Sequence, residues 1–331
     1  MDAETFLVTG ATGFIGAALV RRLREGGACV RGLARSPRSG AADELLVADL
    51  TEDPFDPRWL AGVDTVYHLA AKTHDLAAAG DAEADYWRVN VEGARRLLAA
   101  ATEQPPRRVV FASSVKAHGE GGPRQLDESG TPEPTSPYGR SKLEAERLVL
   151  EAAARGSFEA VCLRFPLVYG RGQKGNLERM IAAVDRGRFP PPPDNGNRRS
   201  MLHVENAVDA LTLAAAHPAA AGQVYVVADA RPYSTRELYD WIREALGKGR
   251  RRWSVPEWAF RGLAAVGDGL RALFGRRVGF DSEAFDKLLG SAWYDTGKVA
   301  RELGYRPARD LRGAVPELVA DYRERWAGGM A

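Results

Sequence analysis

The run Thr5-Phe6-Leu7-Val8-Thr9 passes directly into Gly10, Gly13 and Gly16, and a helical stretch from Phe14 to Glu25 begins inside that glycine series. A short apolar, β-branched run of this kind reads as a buried strand. Strand, glycine turn and helix in immediate succession restrict the chain to folds built from βα units. The glycines permit a tight turn and close backbone approach, and free N–H groups at the helix start offer a site for pyrophosphate. The spacing is Gly-x-x-Gly-x-x-Gly, not the more familiar Gly-x-Gly-x-x-Gly. By itself the turn could equally be a glycine-rich corner that binds nothing.

The pattern continues along the chain. Strand-like runs at Cys29 to Leu33, Leu45 to Ala48, Thr65 to Leu69, Arg108 to Ala112 and Phe158 to Arg164 alternate with helical stretches, notably Ala82 to Glu103 and Pro137 to Arg155. Such alternation predicts an α/β fold with a doubly wound parallel sheet. After Pro166 the pattern becomes irregular, and the proline-rich loop from Phe189 to Asn197 marks a break. Val204 to Ala216 and Val224 to Val227 read as a helix and strand returning to the sheet. The expected division is a Rossmann-type domain of residues 1–165 plus about 201–228, and a smaller C-terminal substrate domain of residues 166–200 and 229–331.

With 331 residues, 45% of them hydrophobic, the chain can bury a full core, and a net charge of +2 points to no charge-driven partner, nucleic acid included. Only 2 cysteines are present, and Cys29 and Cys162, both inside strand-like runs, are expected to be buried, reduced thiols. The N-terminus enters a strand at once, with no basic and apolar leader, and no uncharged run reaches membrane-span length, so a cytoplasmic protein without membrane insertion is expected. Val255 to Phe274 is apolar with Trp258, Phe260, Leu263, Leu270 and Leu273 at helical spacing. Packing within the substrate domain is the favoured reading over a membrane-surface helix, because such stripes usually make core. Arg250-Arg251-Arg252 reads as a solvated charge run. His68, His118 and His203 lack metal-ligand spacing, and no metal is expected.

Tyr138 and Lys142 lie four apart behind Ser136-Pro137, which suit the N-cap and first turn of a helix. Side chains at i and i+4 share a helix face, so the ammonium is expected to stand beside the phenol and acidify it. That makes the pair a candidate acid/base for proton transfer. A Tyr-x-x-x-Lys also arises by chance on surface helices. Its position downstream of a dinucleotide-type turn is what raises its weight.

Taken with those two motifs, His68-Leu69-Ala70-Ala71, Asn90-Val91-Glu92-Gly93, Ser113-Ser114, Arg164 to Gly170, Lys174-Gly175-Asn176, Asn197-Arg198-Arg199-Ser200 and Leu303 to Pro307 make the chain resemble, over nearly its whole length, the extended short-chain dehydrogenase/reductases. More narrowly, it resembles their NAD-dependent epimerase/dehydratase family acting on nucleotide sugars. The resemblance implies a catalytic set of Ser114, Tyr138 and Lys142. It implies a dinucleotide site of Gly10, Thr12, Gly13, Phe14, Ile15, Gly16, Arg35, Asp49, Leu50, Leu69, Ala70, Ala71, Asn90, Ser113, Tyr138, Lys142 and Pro166. On the substrate side it implies Lys72, Ser114, Val115, Lys116, Asn176 and Arg199, with Arg199 matching an arginine that reaches nucleotide phosphates. A homodimer joined through the helices of Ala82 to Glu103 and Pro137 to Arg155 is a further implication.

Three departures from the family pattern narrow the expected reaction. The dehydratase branch has Asp-Glu after its catalytic hydroxyl, where this chain has Val115 and Lys116. Ala34-Arg35 stands where NAD-specific relatives carry an acidic residue, and a guanidinium suits the 2′-phosphate of NADP. Leu167 replaces an asparagine that touches substrate in many relatives. The expected activity is NADP(H)-preferring reduction, NAD(H) remaining usable, of the 4-keto group of a UDP-4-keto-6-deoxy-N-acetylhexosamine for surface polysaccharide. The alternatives are a UDP-sugar 4-epimerase holding NAD tightly, and a catalytically inactive dinucleotide-sensing protein, against which the intact Tyr138/Lys142 pair argues.

Overall fold

The computed structural model describes residues 4–36, 42–73, 82–173, 175–274 and 280–328. Lys174 and the Leu273 side chain, both singled out in the sequence, lie outside the described residues. The first half runs β1 (Thr5–Thr9), α1 (Phe14–Glu25), β2 (Cys29–Ala34), β3 (Glu44–Val47), β4 (Thr65–His68), α2 (Ala82–Tyr86), a π-helical stretch Trp87–Glu92, α3 (Gly93–Glu103), β5 (Arg108–Ser114), α4 (Pro137–Ala154) and β6 (Glu159–Phe165). The second half adds β7 (Leu167–Tyr169), α5 (Asn176–Asp185), β8 (Met201–His203), α6 (Val204–Ala216), β9 (Val224–Val226), α7 (Thr235–Ala245), α8 (Glu257–Phe274), α9 (Ser282–Leu289), α10 (Gly297–Leu303) and α11 (Leu311–Gly328).

The main sheet has seven strands in the order β3-β2-β1-β4-β5-β6-β9, paired in parallel throughout. Its strands read as near-continuous apolar runs because both faces are covered. Phe6, Val8, Val30, Val110 and Val161 pack with α1 and α6 on one face, while Leu7, Val66, Val109 and Phe111 pack with α3 and α4 on the other. The order reverses at β1, between β2 and β4. That switch point opens a crevice at the carboxyl ends of β1 and β4, the place where such sheets bind ligands. A separate core, including Tyr169, Ile181, Trp241, Ile242 and Val315, joins α5, α7 and α11, and β7 pairs in parallel with β8 beside it.

Three expectations need correction. Cys29 is exposed while Cys162 is buried, because Cys29 opens β2 at the rim of the sheet. Ala82 to Glu103 is not one regular α-helix: the Gly93 N–H reaches back five residues to the Arg88 carbonyl, and the inserted π turn buries Asn90 and Val91. α8 is only partly core. Phe260 and Ala264 are buried, but Trp258, Leu263 and Val266 face water.

Candidate active site

Two glycines define the turn after β1. Gly10 has a φ of +69°, and a Cβ there would stand 2.9 Å from the Ala70 nitrogen. At Gly16 a Cβ would come within 2.1 Å of the Gly10 carbonyl oxygen, so the first turn of α1 folds against the loop only without a side chain. Gly13 is the N-cap of α1 and offers no capping side chain, which leaves the N–H groups of the first helical turn for an outside acceptor. Thr12, Phe14 and Ile15 are partly exposed around this cradle. It fits the pyrophosphate of a dinucleotide.

Leu69, Ala70 and Ala71 follow β4 on the other wall of the crevice. The Ala70 N–H donates to Thr9 Oγ1 at 3.1 Å, and the Thr9 hydroxyl lies 2.8 Å from His68 Nδ1. The Thr9 oxygen thus bridges the Ala70 N–H and the buried His68 ring. Burial brings His68 down to about 3, consistent with a permanently uncharged ring. Asn90 clamps the next residue: its Oδ1 accepts from Lys72 N at 2.8 Å and its Nδ2 donates to Ser141 Oγ at 2.9 Å. Asn90 therefore ties this wall to α4.

At the far edge, the Asp49 carboxylate accepts from both the N–H and the hydroxyl of Thr51 at 2.8 Å, and these bonds hold it below the usual carboxylate range. Leu50 is buried next to it. Arg35, exposed just past β2, is near enough to Asp49 to contribute to that lowering.

β5 runs two residues past Ala112 because Ser113 and Ser114 pair with Arg164 and Phe165 of β6. This extension brings Ser114 beside Tyr138, close enough for its hydroxyl to work toward lowering the phenol's pKa. Ser136 caps α4 by accepting from Gly139 N at 3.2 Å with Pro137 in the first turn, as its sequence implied. Lys142, one turn on, is 2% exposed; its Nζ donates to the Ala112 carbonyl at 2.7 Å and sits 4.1 Å over the Phe111 ring. Burial brings it down to about 8. The expected acidification of Tyr138 by Lys142 is not seen. Burial pushes the phenol up to about 12, opposed by the nearby Ser114 hydroxyl, and Lys142 is engaged with Ala112 instead.

Several neighbours were not legible in the sequence. Glu146, one further turn along α4, accepts a short bond from Ser113 Oγ and pairs with the buried Arg164 at 2.7 Å. The i+4 step from Lys142 was the only signal for it. Arg164 also approaches His118 Nδ1 at 3.3 Å. The Tyr86 ring lies 5.6 Å from Tyr138, and Lys72, 5.8 Å over Tyr86, forms an ion pair with Asp85 at 2.6 Å.

On the substrate side, Lys116 pairs with Glu120 at 2.8 Å and Val115 packs on Tyr294. Arg199 donates to the Gly290 carbonyl at 3.0 Å and interacts with Tyr294, which also feels Glu120. Tyr294 thus links Arg199 to the Val115 and Lys116 side of the crevice. Pro166 follows β6 directly, half-buried. Asn176 stands exposed at the start of α5, and no described hydrogen bond joins it to the Tyr138 centre.

A nucleotide cradle at a sheet switch point, with hydroxyl, phenol and ammonium gathered at the end of β5, defines a Rossmann-fold nicotinamide-dinucleotide enzyme of the short-chain dehydrogenase/reductase type. Residues 6–228 match the model of the NAD dependent epimerase/dehydratase family, and the chain belongs to that family. It is 31% identical to the UDP-glucose 4-epimerase of Vibrio cholerae over 93% of this chain and 92% of that one. Identity is also 31%, over 90% of each chain, with a 4-hydroxy-2-methyl-3-oxo-4-farnesyl-3,4-dihydroquinoline-1-oxide ketoreductase of Stigmatella aurantiaca. Among solved structures, MoeE5 in complex with UDP-glucose and NAD superposes with a TM-score of 0.75 at 29% identity, covering 97% of this chain and 99% of that one.

Proposed function

We propose that this enzyme reduces the 4-keto group of a UDP-4-keto-6-deoxy-N-acetylhexosamine, with NADPH preferred over NADH, in the supply of surface polysaccharide precursors. The observation that carries the reading is the Ser114 hydroxyl beside a Tyr138 that burial keeps protonated, in a site where Arg35 follows β2 in place of an acid. A phenol held above its free pKa is a proton donor at neutral pH, the form a reduction consumes. Ser114 holds the substrate oxygen, Tyr138 gives it a proton, and Lys142, fixed at the Ala112 carbonyl, would hold the ribose of the dinucleotide. The dinucleotide, held by the glycine cradle, Asp49 and Arg35, supplies the hydride when bound. Val115 and Lys116 provide neither the acid nor the base that dehydration needs. Arg199 grips the diphosphate, with Lys72, Lys116 and Asn176 as further substrate contacts.

The likeness to a UDP-glucose 4-epimerase over most of both chains supports a second reading, epimerisation at C4 with NAD retained. One assay separates them: NADPH consumption with UDP-4-keto-6-deoxy-N-acetylglucosamine, run beside interconversion of UDP-glucose and UDP-N-acetylglucosamine with their C4 epimers. Arg35→Ala tests the cofactor preference. If its guanidinium meets the 2′-phosphate, NADPH affinity falls about ten- to hundredfold more than NADH affinity, the worth of a charged hydrogen bond. An unchanged ratio removes Arg35 as support for reduction. A cytoplasmic setting goes with either reading, since cysteine thiols stay reduced there. The protein acts as a homodimer through the helices of residues 82–103 and 137–155.

A further inference from the structure

A single buried carboxylate gathers the end of the strand that carries Ser114. Ser113 of β5 and Arg164 of β6 are register partners in the sheet, and Glu146 of α4 reaches both. Its Oε1 accepts from the Ser113 hydroxyl and, at 2.9 Å, from Arg164 Nε, while its Oε2 accepts from Arg164 Nη2 at 2.7 Å. The other arm of the guanidinium, Nη1, meets His118 Nδ1 at 3.3 Å, directly after the short turn Val115–Ala117. Ser113, Glu146, Arg164 and His118 are all buried.

This network brackets Ser114, with Ser113 tied down on one side of it and His118 on the other. Between them Ser114 Oγ accepts from Lys116 N at 3.3 Å. Glu146 stands one helical turn beyond Lys142 and two beyond Tyr138, so the bonds that hold Ser113 and Arg164 also fix the seat of α4 on the strand end. A buried ion pair by itself is weak evidence for stability, since apolar side chains of similar volume often serve as well. What apolar packing lacks is direction, and a forked guanidinium on a carboxylate supplies it. Glu146 also brings charge. It works to keep the proton on Lys142 against burial, while the Cys162 thiol, pushed up by burial, and the uncharged His68 ring nearby bring none at neutral pH.

We propose that Glu146 is a positioning residue for the reaction: through Ser113 and Arg164 it sets Ser114 against Tyr138, and through its charge it keeps Lys142 an ammonium for the dinucleotide ribose. Glu146 itself touches neither substrate nor cofactor. The Ser113 hydroxyl, spent on Glu146, is likewise withdrawn from the dinucleotide. The turnover part of the test rests on the activity proposed above. NADPH binding needs no sugar, so failure of that substrate assignment and failure of the positioning role are told apart.

Three variants of the full chain separate geometry from charge. Ser113→Ala leaves the ion pair intact and should melt close to wild type and bind NADPH as wild type at pH 7, while kcat falls about tenfold or more with little change in KM. Glu146→Asp keeps the charge but shortens the reach, so kcat should fall while the pH dependence of NADPH affinity stays put. Glu146→Gln removes the charge. Lys142, at about 8 in the wild type, then gives up its proton more readily, and the alkaline loss of NADPH affinity should move about one pH unit or more toward acid. Ser113→Ala also serves as the test should Glu146→Gln fold poorly. Wild-type kcat in Ser113→Ala, loss of its NADPH affinity at pH 7, or an unmoved pH profile in a folded Glu146→Gln would overturn the proposal.

Discussion

At the scale of single residues, the site works by placing ionisable groups where burial decides their charge. Tyr138 keeps its proton and Lys142 is brought down to about 8, each because desolvation disfavours the charged form. Tyr138→Phe removes one hydroxyl and leaves the ring against Tyr86. It should keep dinucleotide affinity, measured by titration, while lowering kcat about 10²- to 10⁴-fold, the usual worth of a positioned proton donor. Near-normal turnover would refute the assignment. His68 yields a pH prediction of its own. Its folded pKa of about 3 lies below the unfolded value of 6.5, so the unfolded chain takes up a proton first as pH falls. Stability from this group is complete above pH 6.5 and drains away toward pH 3. At pH 5 the loss is about 2 kcal/mol relative to neutral pH. Urea unfolding at both pH values should show a smaller acid loss in His68→Asn; an equal loss would place the sensitivity elsewhere.

At the scale of elements, α4 carries three functional turns in succession: Tyr138, Lys142 and Glu146 stand at four-residue steps on the face it buries against β5 and β6. The Glu146 and Arg164 side chains are 3% and 5% exposed, so neither charge has water to fall back on. Glu146→Ala should therefore destabilise the fold by about 3–5 kcal/mol, since it strands a buried guanidinium. Adding Arg164→Leu should recover part of that loss, and chemical denaturation of the single and double variants checks the coupling. Strictly additive losses would mean the two residues act apart. The π turn at Trp87–Glu92 works on the same scale. It rotates Asn90 inward to bond both Lys72 and Ser141, which a regular helical wheel over residues 82–103 does not anticipate.

At the scale of the whole molecule, the proposed dimer has an apolar surface to use. Trp87 is 42% exposed, and Leu148 and Leu150 on neighbouring α4 are only partly covered. Trp87→Glu is expected to convert a dimer to a monomer in sedimentation velocity without changing the circular dichroism spectrum. A monomeric wild type would end that reading.

Much of this architecture was legible in the sequence because it rests on local rules. The βα alternation, the glycine turn, the Ser136-Pro137 cap and the bounds of α6 each follow from steric or hydrogen-bonding preferences expressed within a few residues. So did the candidacy of Tyr138 and Lys142, whose spacing alone puts them on one helix face. What only the tertiary structure decided depends on who meets whom across the fold. Ser113 and Ser114 became strand because β6 offered them partners, Lys142 turned to the Ala112 carbonyl because burial left it no water, and Cys29 met solvent because β2 begins at the rim. Glu146 found Arg164 across 18 residues of sequence, and α8 kept an apolar face outward although its periodicity matched that of a core helix. Desolvation and long-range pairing depend on neighbours brought from distant parts of the chain, and periodicity and spacing do not record them.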